Sequence, residues 1–175
     1  DIQSVADKMI DEGRMRPMLI VCPRMEDALG LNAYEDYFFN EVMPLVEQRY
    51  KTASRYIGGC SAGGYIAFNY AFRHPKMFAR VGGHMPAIDD KLYYEDLHYF
   101  GTHDVWEANN PIYLARQSPL ASTIQFYLDA GDEDEGGFYH GCAQLAETLK
   151  SRGIQVENHL NKVHHTVQYI KDNQI

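Results

Sequence analysis

The sequence predicts an α/β protein, a three-layer α/β/α sandwich around a mainly parallel sheet. Two observations carry this expectation. Short apolar runs of strand length alternate with amphipathic stretches of helix length, the pattern of a sheet whose strands are joined by crossover helices. Between Arg55 and Pro75, a strand-type run (Arg55, Tyr56, Ile57) meets the small-residue cluster Gly58 to Gly64. It passes at once into a helical pattern with Tyr65, Ile66, Phe68 and Ala71 on one face. With 175 residues, the chain has room for one domain with a substantial core.

Taken in order, residues 2–12 read as an amphipathic helix with Ile2, Val5, Met9 and Ile10 on one side and Gly13 ending it. Pro17 to Pro23 is a short continuous apolar run bounded by prolines, which suits a buried parallel strand. Residues 24–35 read as a loop. A helix from Tyr37 to Tyr50 follows, with Pro44 placed to kink it. After the helix that ends near His74 and Pro75, residues 78–85 read as a strand and 86–105 as an irregular segment rich in Tyr, His and Asp. Trp106 to Ala115 reads as one helix, Ile124 to Asp129 as a strand, and 131–137 as an acidic turn. A helix over 138–152 capped by Gly153, a strand from Ile154 to Leu160, and a final helix opened by His164 and His165 complete the chain.

Composition excludes several classes. The net charge of −8 argues against nucleic acid or an anionic membrane surface as partner. No apolar run reaches membrane-spanning length. No signal-peptide pattern opens the chain, which starts at Asp1 rather than Met. Cys22, Cys60 and Cys142 cannot all pair and resemble neither a disulfide framework nor a zinc site, so the compartment stays open between secreted and cytoplasmic. The acidic stretch from Asp129 to Glu135 is not a calcium loop, because position twelve counted from Asp132 is Ala143 rather than Glu. The histidines at 98, 103 and 140 offer no three-ligand set, and no cofactor or metal is expected.

The chemistry gathers at Ser61. Gly59-Cys60-Ser61-Ala62-Gly63 fits G-x-S-x-G, the nucleophile elbow of α/β-hydrolases. There the serine sits in a strained backbone conformation, and side chains two positions to either side would collide, so glycine is expected at both. The turn places Ser61 at a helix N-terminus, where the free N–H of Ala62 is the natural first oxyanion donor. A serine needs a base within hydrogen-bond reach, itself oriented by a carboxylate. The elbow's chain order of serine, acid, histidine is met by Ser61, an acid near 129–135 and a histidine at 164 or 165. In a parallel sheet all three fall at the carboxyl ends of strands, where ligands gather.

With these residues assembled, the chain resembles the esterase family of α/β-hydrolases that includes esterase D (S-formylglutathione hydrolase), feruloyl and acetylxylan esterases, enterochelin esterases and mycolyltransferases. The resemblance rests on the elbow stretch from Arg55 to Phe78, on Y-L-D-A-G-D-E-D from Tyr127 to Asp134, and on H-H-T-V-Q-Y-I from His164 to Ile170. It implies Ser61 as nucleophile, Asp134 as the acid of a G-x-x-D turn counted from Gly131, and His165 as base. Asp132 and Glu133 are the alternative acids. His164 is the alternative base, because Tyr169 stands five residues after it, where the family often has an aromatic. Cys60 stands where the family often has an aliphatic residue, and reads as a small hydrophobe beside the nucleophile. Together with Tyr94 and Trp106, from the aromatic-rich segment, it completes the substrate-contact candidates.

The family's catalytic domains also carry N-terminal strands and an H-G-type loop that supplies a second oxyanion N–H. Nothing in this chain matches them, so residues 1–175 are expected to form a single catalytic domain equivalent to the C-terminal two-thirds of the family domain. One lost oxyanion donor costs about 10²–10³ in turnover, and an uncovered sheet edge favours homo-oligomers. The implied activity is a serine carboxylic-ester hydrolase acting through an acyl-enzyme. By likeness to the bacterial polysaccharide-degrading branch, its substrates are feruloyl or acetyl esters of carbohydrate. S-formylglutathione thioester hydrolysis, and a non-catalytic carbohydrate-binding module on a decayed hydrolase fold, are the alternatives.

Overall fold

The computed structural model describes residues 2–25, 29–120, 123–166 and 168–169. Four strands, β1 (Tyr56–Cys60), β2 (Arg80–His84), β3 (Gln125–Gly131) and β4 (Gln155–Asn161), form one sheet in the order β1-β2-β3-β4, every pair parallel. Each strand matches an expected one to within a few residues. The register sets Cys60, His84, Asp129 and His159 side by side across the sheet.

The helix after β1, α4 (Ala62–Arg73), is buried along most of its length, and its Phe68 and Phe72 meet Phe126 of β3 at 5.9 and 5.5 Å between ring centres. With α7 (Pro111–Gln117) and α8 (Phe138–Ser151) it forms one helical layer. Leu145 and Leu149 of α8 and Ile112 of α7 are fully covered. The layer is pinned by side chains that reach main-chain carbonyls: Ser118 Oγ donates to Phe72 O at 2.6 Å, and Arg152 donates to Ala115 O and Ser118 O. The residues that alternate with this core along the strands are polar, among them Arg80, Gln125, Gln155 and Glu157, and they line an open hollow of about 670 Å³ on the other face.

Near the N-terminus, α1 (Ile2–Asp11) forms as expected and Gly13 takes φ +70° just beyond it. The expected strand over 17–23 does not form. Its residues have no regular structure, and Met18, Leu19, Ile20 and Val21 are 38–46% exposed. A strand exists only where a neighbour completes its ladder, and among the described strands none pairs with this run. The outer side of β1 is likewise unpaired among the described residues.

Two helix expectations change in detail. The helix expected from Tyr37 begins earlier, as α2 (Ala33–Tyr37), and continues through a π-helical turn (Phe38–Val42) into α3 (Met43–Arg49). Pro44 has no N–H to offer and its ring crowds the preceding turn, and the turn before it widens, with Met43 N bonding Phe38 O. The single helix expected over 106–115 is two, α6 (His103–Asn109) and α7. Asn110 is extended at ψ 127° because Pro111 follows it, and its side chain accepts from Ile112 N at 2.8 Å to start the new helix. Part of the irregular segment before them is a short helix, α5 (Leu97–Phe100). Gln168 and Tyr169 are helical, but His164, His165 and Thr166, expected to open the final helix, have no helical structure; residue 167 and those beyond 169 lie outside the described residues. No described helix is long and apolar enough to cross a membrane.

Candidate active site

Ser61 follows β1 and precedes α4 with φ 53° and ψ −119°, a backbone conformation that non-glycine residues avoid. Three hydrogen bonds of 3.0 Å hold it there: its N–H donates to His84 O, and its carbonyl accepts from Tyr65 N and Ala87 N. The glycine requirement is distributed differently from the motif's symmetry. A Cβ on Gly59 would collide with the Gly63 backbone, whereas one on Gly63 would meet nothing within 4 Å. The second position that must be glycine is Gly64, where a Cβ would stand 2.8 Å from Pro86 Cβ. The β2–α5 loop therefore sets this constraint, and it lies too far along the chain to be seen in a five-residue motif.

The acidic turn and the histidine loop are joined main chain to main chain. Asp132 N donates to Asn161 O at 2.9 Å and Glu133 N to Val163 O at 3.3 Å. A Cβ on Gly131 would fall inside the contact distance of Val163 O. This close approach sets His165 against Asp134, with Nδ1 to Oδ2 at 2.8 Å, the carboxylate almost wholly covered and the imidazole about a quarter exposed. The other oxygen, Oδ1, accepts from Gly136 N at 2.8 Å. A carboxylate can only accept here, so Nδ1 carries the proton and Nε2 is left as the basic nitrogen. The edge of Phe138 packs against the ring at 5.6 Å.

The alternatives lie elsewhere. His164 is mostly exposed and reaches Glu135 at 2.9 Å and Glu133 at 3.4 Å, and the Glu135 carboxylate raises its pKa above the usual histidine value. Asp132 faces solvent. Asp129 is buried, and its carboxylate is occupied by Met85 N at 3.1 Å, Tyr127 OH at 3.0 Å and His84 Nδ1 at 2.7 Å. This second His–Asp pair went unnoticed in the sequence, and only strand register could have revealed it. Cys60 is in register with His84 on that same face, and burial raises its thiol pKa, so it is a half-covered neutral thiol. Among the described residues no histidine, cysteine and carboxylate cluster could hold a metal ion.

A cavity of about 170 Å³ lies beside the elbow, lined by Ala62, Tyr65, Asp89, Asp96, Tyr99, Phe100, Trp106, Asn110 and Phe138 among others. The hollow on the polar sheet face is larger, but it lies toward the amino ends of the strands, away from Ser61. Of the expected substrate contacts, Trp106 reaches the smaller cavity. Tyr94 does not: it is 84% exposed on a turn, and Tyr99 and the buried Phe100 of α5 line the cavity instead. Cys60 is not among the lining residues either. Asp89 was hidden in the irregular segment. Burial first, then the neighbouring charges of Asp96, Asp90 and Asp134, push its carboxyl up to about 7 from 3.8. A raised carboxyl favours folding while protonated, so stability falls as pH rises from 3.8 through 7. Asp89→Asn is expected to raise the melting temperature most above pH 7 and to leave it unchanged near pH 3.5, read from thermal melts across that range.

Gly131→Ala is expected to lower both stability, by about 1–3 kcal/mol from overpacking, and turnover, because the added methyl pushes the loop that carries His165 away from Asp134. Urea melts and kcat measured on one preparation check both.

A parallel sheet, a serine held at positive φ on its strand-to-helix turn, and a helix buried behind that turn define the α/β-hydrolase class. Within that class the family model described as Putative esterase matches residues 2–172, and the chain belongs to this family of carboxylic ester hydrolases. Solved structures agree on the fold. A ferulic acid esterase superposes with a TM-score of 0.78 at 19% identity, over 99% of this chain and 73% of its own. An S-formylglutathione hydrolase from Agrobacterium tumefaciens gives 0.65 at 20% identity, over 79% of this chain and 53% of its own. A substrate-bound fluorophosphonate-binding serine hydrolase from Staphylococcus aureus gives 0.67 at 18% identity, over 86% and 66%.

Proposed function

We propose that the chain is the serine-bearing part of a carboxylic-ester hydrolase that works through Ser61, His165 and Asp134 on acyl esters of carbohydrate. The observation that carries this reading is the strained Ser61 at an α-helix N-terminus, in a chain whose buried turn carboxylate, Asp134, pairs with the Nδ1 of His165 and leaves its Nε2 free. His165 Nε2 accepts the Ser61 proton as Oγ attacks the ester carbonyl carbon. The carbonyl oxygen becomes an oxyanion and takes the Ala62 N–H, which the start of α4 leaves without an intrahelical partner. The C–O bond to the alcohol breaks, the imidazolium returns its proton to the departing oxygen, and an acyl-Ser61 ester remains. Water, deprotonated by His165, attacks that ester and releases the acid.

Carbohydrate is preferred over glutathione as the leaving group because the cavity beside Ala62 combines aromatic rings with two carboxylates. Rings stack on sugar faces and carboxylates accept from hydroxyls, while glutathione brings carboxylates of its own. Methyl ferulate and p-nitrophenyl acetate are expected to be hydrolysed faster than a matched thioester. A fluorophosphonate probe is expected to label the wild type and not Ser61→Ala. Labelling retained in Ser61→Ala, or a faster thioester, would count against this assignment. His164→Ala is expected to stay within about threefold of wild type in kcat, since its partners are exposed glutamates.

A further inference from the structure

The cavity beside the elbow has a chemical bias that the hydrolase reading does not require. Its walls are aromatic: Trp106 and Phe100 are almost fully covered, and Tyr65 is fixed by donating its OH to Asn109 O at 2.7 Å. Its charge is one-sided. Asp89 and Asp96 both line it, and among the described residues no lysine, arginine or histidine does. Asp96 is partly satisfied, since its Oδ2 accepts from Tyr93 N at 3.0 Å. The Asp89 carboxylate accepts from no described group, although its main chain is rigidly placed. Asn110 Nδ2 donates to Asp89 O at 2.8 Å, and a Cβ on Gly141 of α8 would collide with Ile88 O and crowd Asp89. A rigid acceptor with unfilled lone pairs, turned to a small aromatic cavity, calls for a ligand that brings donors.

Resting on the reading of Ser61 as the nucleophile, we propose that this cavity is a charge-selective subsite. In it Asp89, supported by Asp96, admits a substrate group bearing hydrogen-bond donors, an ammonium or a hydroxyl, and rejects one bearing a carboxylate. A carboxylate entering would face two like charges across a poorly hydrated space and leave its own acceptors unmatched. An ammonium or hydroxyl fills the Asp89 lone pairs. The charges that act on Asp89 are themselves acidic, Asp96, Asp90 and Asp134. Arg73, which acts on Tyr65, and His165, whose ring packs against Phe138, reach the cavity's walls but do not line it. Discrimination against carboxylates is expected to strengthen from pH 6 to pH 8 as Asp89 ionises.

The chain has one tryptophan, and it lines this cavity, so its fluorescence reads occupancy without any turnover. Benzylamine, benzyl alcohol and benzoate are titrated separately into the wild type, Asp89→Asn and Asp96→Asn at pH 8. In the wild type, benzylamine and benzyl alcohol are expected to bind at least about tenfold more tightly than benzoate, the scale of one close charge interaction in a half-buried site. Asp89→Asn is expected to shrink the gap between benzylamine and benzoate to about threefold or less, and Asp96→Asn to shrink it less. Benzoate binding as tightly as benzylamine to the wild type would overturn the proposal, as would a preference unchanged in both folded variants. Hydrolysis of p-nitrophenyl acetate by the same wild-type sample is scored separately. Its absence would count against the ester-hydrolase reading and leave the binding result to decide the subsite.

Discussion

Ser61→Ala is expected to lower kcat on p-nitrophenyl acetate by about 10⁴- to 10⁶-fold, leaving only the residual rate that oxyanion binding and substrate positioning supply. The fold should survive the change. The three hydrogen bonds at this position are made by main-chain atoms, and the side chain makes none among the described residues. The variant keeps the strained φ of 53°, so its melting temperature should match the wild type while turnover collapses. A loss of only a few-fold would mean that another group is the nucleophile. Cys60 is a poor substitute, because burial raises its thiol pKa and it lies in register with His84 on the sheet.

Asp134→Asn is expected to cost about 10⁴ in kcat with little change in KM, and the local hydrogen bonds say why. Gly136 N must keep an acceptor, so the asparagine oxygen takes the Oδ1 position and the amide nitrogen faces His165 Nδ1. An NH₂ group there can only donate, which makes Nδ1 the acceptor and leaves the proton on Nε2, where it cannot receive one from Ser61. Asp134→Ala would lose the orientation as well but leave the tautomer free, so it is expected to be no worse, and to differ in its pH profile. Asp132→Asn, on an exposed side chain, serves as the control and is expected to be silent.

The strand-to-helix turn at Ser61 could be read from sequence because such an elbow is a local device. Strand propensity before Gly58, small residues through Gly64 and the apolar face after Tyr65 are all set within twenty residues. Which of His164 and His165 meets Asp134 could not be read from local sequence, although the resemblance favoured His165. Their neighbours in sequence are nearly identical, and what separates them is the close approach of Gly131 to Val163 across two strands. Asp129 shows the same limit from the other side. As a carboxylate at a strand end it fits the triad order, yet register hands it to His84, Tyr127 and Met85.

Sequence alone was sufficient for the strand and helix succession, for Ser61 at its turn, and for an acid and a histidine following in order, because each depends on residues close together in the chain. Tertiary structure decided which glycines the elbow needs, which aromatic residues of the 86–106 segment turn inward, and that Asp89 faces a cavity beside Ala62. It also decided that the apolar run from Met18 to Val21 is not a strand. Apolar composition is a property of a segment, but a strand is a property of a pair, and that run has no partner among the described strands.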